Sequence, residues 1–157
     1  YNWEFLEQHA DIYRFARLLI AQRKAHPIFR RTRFFTGRDL DKDQYPDIHW
    51  YSSSGRDADW DPTDQRLMCL MDGCLEETGA GEDDVDVLIM FNSDDRSHLF
   101  YLPPAPHSGT WHLLLDTSLP SPADIHMPDE EAELDPSIAY HVQPYSMVVL
   151  VSKWKQN

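Results

Sequence analysis

The sequence predicts a mainly β protein, an antiparallel sandwich or barrel preceded by one α-helix. Three observations carry this. Residues 10–25 form one helix-forming stretch without Pro or Gly. After Pro27, short apolar runs of strand length recur between clusters of Pro, Gly, Asp and Ser. No helical pattern separates those runs, which is the ordering expected of antiparallel rather than parallel strands.

The helix comes first. Ala10 to Ala25 reads ADIYRFARLLIAQRKA, good helix formers throughout, and stops before His26-Pro27, where the proline disfavours helix at the residue before it. Between Ile12 and Ala21 only Arg14 and Arg17 are charged, so the stripe Arg14, Arg17, Lys24 is narrow and most of the circumference is apolar. Such a helix needs partners on several sides. A sandwich beneath it covers only one, so a further partner outside this sequence is expected.

Seven segments then read as strands: Ile48 to Ser52, Leu67 to Met71, Val85 to Asn92, His98 to Leu102, Thr110 to Asp116, Ile138 to Val142 and Met147 to Ser152. Leu88 with Met90, and His98, Phe100, Leu102, fit half-buried faces with period two. Met147 to Val151 is a continuous apolar run suited to a central strand. Asn92-Ser93-Asp94-Asp95 has turn chemistry and predicts a hairpin between its flanking strands. Thr36 to Tyr45, Ser53 to Asp64 and the proline-rich acidic piece Leu119 to Pro136 read as loops.

Composition narrows the function classes. A chain of 157 residues fits one domain and, at 41% hydrophobic and 26% charged residues, buries a core without staples. The charge of −13 is uneven, with net +5 over residues 1–38 and net −18 over residues 39–157. The acidic body argues against nucleic-acid binding, which depends on phosphate neutralisation by Lys and Arg. No apolar run reaches the roughly 18–20 residues that cross a bilayer, and Tyr1-Asn2-Trp3-Glu4 shows no signal-peptide pattern, so a cytoplasmic location and no membrane partner are expected. The start lacks Met and reads as a position within a longer chain. Cys69 and Cys74 are too few for a disulfide framework and read as buried thiols.

A glycosidase needs two carboxylates on a rigid scaffold. Here most acids, such as Glu82-Asp83-Asp84 and Asp129-Glu130-Glu131, fall in loops and read as solvated charge, while Asp116 only ends a strand. No catalytic residue is expected. The nearest approach to a metal cluster, Asp124 and His126 with Asp129, does not define a ligand set, so neither metal nor cofactor is expected. Trp50, Trp60, Trp111 and Trp154 could stack on a sugar ring. Trp50 and Trp111 lie in strand patterns and read as packing, leaving Trp60, in the Asp57–Pro62 loop, as the substrate-binding candidate.

Taken in order, several segments resemble one family. Leu18 to Pro27 (LLIAQRKAHP), Arg30 to Gly37 (RRTRFFTG), Asp47 to Tyr51 (DIHWY), the Asp59-Trp60 loop, Leu67 to Gly73, Leu88 to Asn92 (LIMFN), Leu102-Pro103-Pro104 and Trp111 to Thr117 together resemble the GlgX and isoamylase group of the α-amylase superfamily, glycoside hydrolase family 13. The resemblance spans nearly the whole chain. It implies a Greek-key-like C-terminal sandwich, residues 36–157, preceded by the terminal helix of a catalytic barrel and its connector, residues 1–35. It also implies a parent enzyme that hydrolyses α-1,6 branch linkages of glycogen with an Asp nucleophile, a Glu acid/base and a supporting Asp. All three belong to upstream motifs without a counterpart here, so no catalytic role transfers to any residue.

The expected function is therefore a non-catalytic domain that seals and buttresses the catalytic (β/α)8 barrel of its own parent and meets branched α-glucan through it. In isolation the helix is expected to dock loosely or mediate self-association. Two alternatives stand beside this: an autonomous α-glucan-binding sandwich using Trp60 or Tyr51, and a module whose apolar helix seats in a partner's groove.

Overall fold

Helix α2 occupies Ala10–Ala25, the bounds that its sequence pattern predicts, after a short turn of helix, α1, at Phe5–Gln8. Its C-cap, His26, is extended because Pro27 follows, and Pro27–Arg30 continues as a 3-10 turn. This computed structural model describes residues 3–134 and 138–153; Trp154 and the Tyr1-Asn2 start lie outside them. Among the described residues eight strands form two antiparallel sheets: β1 Ile48–Tyr51, β2 Arg66–Met71, β3 Val87–Asn92, β4 His98–Tyr101, β5 Thr110–Asp116, β6 Ala132–Glu133, β7 Ala139–Val142 and β8 Ser146–Lys153. The order is β1-β2-β3-β8-β5-β6 in the large sheet and β4-β7 in the small one. The fold is an antiparallel sandwich with an N-terminal helix.

Burial follows from period two. Met68 and Leu70, Leu88 and Met90, and Val148 and Leu150 point from the large sheet to one side, where Phe100 of β4 and Val142 of β7 meet them. Their neighbours in sequence, Met71, Val87, Val149 and Val151, point to the other side. That side is covered by Phe15 and Leu18 of α2 and by Ile28 and Phe29 of the 3-10 turn. The large sheet is thus buried on both faces, and β8, the continuous apolar run, sits between β3 and β5 as a central strand must. In β5 the register shifts between Leu113 and Leu115. This bulge lets Leu113 join one core while Leu114 and Leu115 both join the other.

Two sequence expectations need correction. The Asn92–Asp95 turn reverses the chain but is no hairpin, since β3 stays in the large sheet and β4 crosses to pair with β7. The buried Asn92 makes the crossing by donating from its side-chain amide to the carbonyls of Arg96, Val142 and Gln143, which ties one sheet to the other. The acidic piece Leu119 to Pro136 contains a strand, β6, whose two residues add to the edge of β5; residues 135–137 lie outside the described ones.

Glycine is required at Gly73, where a Cβ would stand 2.3 Å from the Val85 carbonyl oxygen and 2.5 Å from that of Asp84. The backbone of the β2 exit passes that close to the β3 entry. Replacing Leu88, fully buried in the inter-sheet core, by Ala is expected to cost about 2–5 kcal/mol, whereas Ile12→Ala on the outer face of α2 stays within about 0.5 kcal/mol. Urea unfolding of the two variants checks this.

Candidate functional site

The segment after the helix is organised around one buried acid. Asp47 accepts hydrogen bonds from Thr36 N at 2.6 Å, Thr36 Oγ1 at 3.2 Å and Gly37 N at 2.7 Å, and faces the Arg31 guanidinium at 3.4 Å. Gly37 presents its N–H from a left-handed backbone (φ 68°) that favours glycine. Arg31 also donates to the Glu77 carbonyl at 2.9 Å and lies over the Phe35 ring at 3.7 Å. Burial pulls its pKa down, against the pull of Asp47 and Glu77. The RRTRFFTG stretch is therefore a strap closed on the start of β1.

A second polar set fixes the helix. Gln22, the one buried residue of α2, donates to the His126 carbonyl at 3.0 Å and to Glu131 Oε1 at 3.1 Å. Glu131 takes the Lys153 ammonium at 2.7 Å. Burial works to raise the Glu131 pKa, and the Lys153 and Gln22 contacts outweigh it, leaving the group below its ordinary value. Arg14 pairs with Asp124 and donates to Ser121 at 3.1 Å. The basic stripe of the helix thus meets the acidic loop of the sandwich. Asp124, read from sequence beside His126, is spent on this contact.

Trp60, the sequence candidate, lies in its loop at φ 56° and is 64% exposed. Its ring meets that of Trp50 edge-on, with centroids 5.7 Å apart. Trp60 borders a cavity of about 200 Å³ with Ser52, Asp59, Asp61 and Arg66. Trp50 is half-buried in β1, whereas Trp111 is core and donates from its indole to the Pro103 carbonyl at 2.8 Å. One face of Trp60 with adjacent carboxylates and a guanidinium suits a single polyol ring rather than a long platform. Tyr51, the other aromatic candidate, is half-buried and stacked against His49 at 4.4 Å.

The reading of the acids as solvated charge does not hold throughout. Asp47, Asp72, Glu77, Asp86, Asp116 and Glu131 are buried. Asp116 accepts from Ser118 N, Ser118 Oγ and the Tyr140 hydroxyl at 2.8 Å, which marks it as a turn anchor; burial and this contact push the Tyr140 phenol up. Asp84 takes Ile28 N at 2.9 Å and His26 Nδ1 at 2.9 Å, pinning the 3-10 turn to the sheet. Asp72 and Asp86 are different. They sit with Asp41, Cys74 and His107 around a cavity of about 250 Å³, and burial pushes the Asp72 carboxyl up to about 8 and that of Asp86 up to about 6. The alternation Asp39-x-Asp41-x-Asp43, within the loop Thr36 to Tyr45, is the sequence signal for this cavity. Cys69 is buried, with its thiol pushed up to about 11, whereas Cys74 is only partly covered and donates to Glu76 at 3.0 Å.

No family model matches the chain. Relatives do. Isoamylase 3, chloroplastic, of Oryza sativa subsp. japonica is 30% identical over 154 residues, 98% of this chain and 17% of that protein. The glycogen operon protein GlgX homolog of Mycobacterium tuberculosis (strain ATCC 25618 / H37Rv) is 32% identical over 128 residues, 76% of this chain and 18% of that protein. Isoamylase of Pseudomonas amyloderamosa is 31% identical over 121 residues, 74% of this chain and 14% of that protein. Its homologues are GlgX and isoamylase proteins. The chain spans less than a fifth of the length of these relatives. Three of the segments that carry the GlgX and isoamylase resemblance, Arg30 to Gly37, Asp47 to Tyr51 and Leu67 to Gly73, include the strap around Asp47 and the close approach at Gly73. Because the Asp47 carboxylate organises the strap, Asp47→Ala strands the Arg31 charge and is expected to cost about 3–5 kcal/mol in urea unfolding.

Proposed function

We propose that this chain is the non-catalytic C-terminal region of an α-glucan debranching glycoside hydrolase, with α2 as the closing helix of the parent's catalytic (β/α)8 barrel. Residues 1–35 would belong to the barrel and residues 36–157 to the sandwich that buttresses it, in a cytoplasmic enzyme. The names of the relatives and their far greater length support an enzyme of that class. The observation that carries the reading is the outer face of α2. Ile12, Tyr13, Leu19 and Ile20 are 62%, 48%, 40% and 55% exposed, and together with Ala16 they form one arc opposite the Phe15, Leu18 and Gln22 face that packs on the sheet. An apolar arc of that width, interrupted by Arg23, whose guanidinium donates to the Phe29 carbonyl, on a helix already docked on one side is a face suited to a second body.

In this arrangement the sandwich performs no bond cleavage. Its work is mechanical: the polar contacts of Arg14, Gln22 and Lys153 hold α2 against the large sheet, and the sheet holds the helix against the barrel. The parent's acid and nucleophile would lie in the barrel, and the branched glucan would be met there.

A second reading, a glucan-binding sandwich, is favoured by one observation, the exposed Trp60 over its cavity. Two experiments separate the readings. Sedimentation velocity is expected to show the 157-residue chain self-associating, with Ile20→Glu restoring monomer; a monomer at high concentration without the substitution sinks the docking face. Migration of the chain in glycogen-containing native gels is expected to be unretarded, and retardation abolished by Trp60→Ala would put the binding module first.

A further inference from the structure

The loop between the strap and β1 meets the end of β2 at the acidic cavity. One donor oxygen from each of Asp41, Asp43 and Asp72 lies within 4.8 Å of the others, and Asp41 is shared with a second trio completed by Asp39 and Glu77. Crowded acids at a surface are ordinary, since water solvates each one. That explanation fails for Asp72, which is 1% exposed. Its Oδ1 accepts from Cys74 N at 2.6 Å, and its buried Oδ2 has no hydrogen-bond donor. Asp86, lining the same cavity and 2% exposed, repeats the pattern: Oδ1 accepts from Gly73 N at 3.1 Å and Oδ2 has no donor. A buried carboxylate oxygen without a donor is a costly group to keep, and here two face one cavity beside further carboxyls.

Neither neighbouring cation donates a hydrogen bond to these oxygens. Arg31 is engaged by Asp47 and the Glu77 carbonyl; its buried Nη1 has no hydrogen-bond partner and feels Asp72 only through space. His107 Nε2 stands 3.3 Å from Asp43 Oδ2 and 3.9 Å from Asp86 Oδ2, at ion-pair range of Asp86 but beyond hydrogen-bond reach. A metal ion would give both oxygens a partner. The donors select its kind. All are carboxylate oxygens, and the sulfur at the rim, Cys74 Sγ, is engaged in donating to Glu76 at 3.0 Å. A soft or thiolate-preferring metal gains little there. Acids at alternating positions of one loop, Asp39, Asp41 and Asp43, are also how oxygen donors are delivered to a large, hard cation.

We propose that Asp41, Asp43 and Asp72, with Asp86 behind them, form a binding site for one calcium-class divalent cation. Bound there, the ion ties the loop that follows the helix and strap to the end of β2. The inference is independent of the debranching reading, because it concerns a site wholly within this chain.

The test is calorimetric titration of calcium chloride into the EDTA-treated 157-residue chain, in buffer with enough sodium chloride to screen the general attraction of an acidic protein for cations. Saturation at one ion per chain is expected, with Tm raised by at least about 2 °C at saturating calcium. Asp41→Asn and Asp72→Asn should each weaken binding by about tenfold or more, while Glu130→Gln, an exposed acid elsewhere, should not change it. If Asp72→Asn does not fold by circular dichroism, the partly exposed Asp41→Asn decides. The proposal is overturned if the wild-type chain shows no saturable binding, if Asp41→Asn binds as the wild type does, or if zinc outcompetes calcium at the same stoichiometry.

Discussion

The large sheet is apolar on both faces, and the rest of the molecule is arranged to cover it. A strand such as β8, with Val148 and Leu150 on one side and Val149 and Val151 on the other, has no face to offer water. The two-stranded sheet answers one face and the helix with its 3-10 turn answers the other. Burying a Leu or Val side chain is worth about 1.5–3 kcal/mol, so leaving either face bare would forfeit several such contributions. The helix is therefore part of the core of this chain, even though its other side faces outward.

Polar groups then do what apolar contact cannot: they fix register and direction. Asn92 bridges the sheets with one amide, Gln22 and Arg14 set the helix on the sheet, and Asp47, Asp84 and Asp116 each gather the N–H or O–H donors of one irregular segment. A buried carboxylate that accepts several donors is tolerated because each lone pair is matched. This logic also marks Asp43, Asp72, Glu77 and Asp86, each with one buried oxygen that has no hydrogen-bond partner. The same residue type serves as an anchor in one place and as ion-seeking in another, and the count of donors decides which.

A helix docked on one side by the sheet and bare on the other carries a mechanical implication. The helix packs on the sheet through Phe15 and Leu18, is tied by Gln22 to His126 and Glu131, and is followed in the chain by the strap around Asp47. The acidic loop lies beside that strap, so an ion at Asp41, Asp43 and Asp72 would stiffen the connection between helix and sandwich. Support and ion binding would then act on the same hinge of the chain.

The local elements were legible in the sequence. The helix from Ala10 to Ala25, the seven strand segments and the central place of Met147–Val151 all follow from short-range periodicity and from Pro27, which act within a few residues. The segments that resemble the GlgX and isoamylase group were legible too, and two of them end on glycines with a local backbone reason, the left-handed φ of Gly37 and the close approach at Gly73. What tertiary structure alone decided is which strands pair, so β4 leaves its neighbour β3 for β7, and which acids are buried. Asp47 and Asp59 look alike in a string of letters; one is enclosed and the other is not, because enclosure depends on chain segments far apart in sequence arriving at the same place.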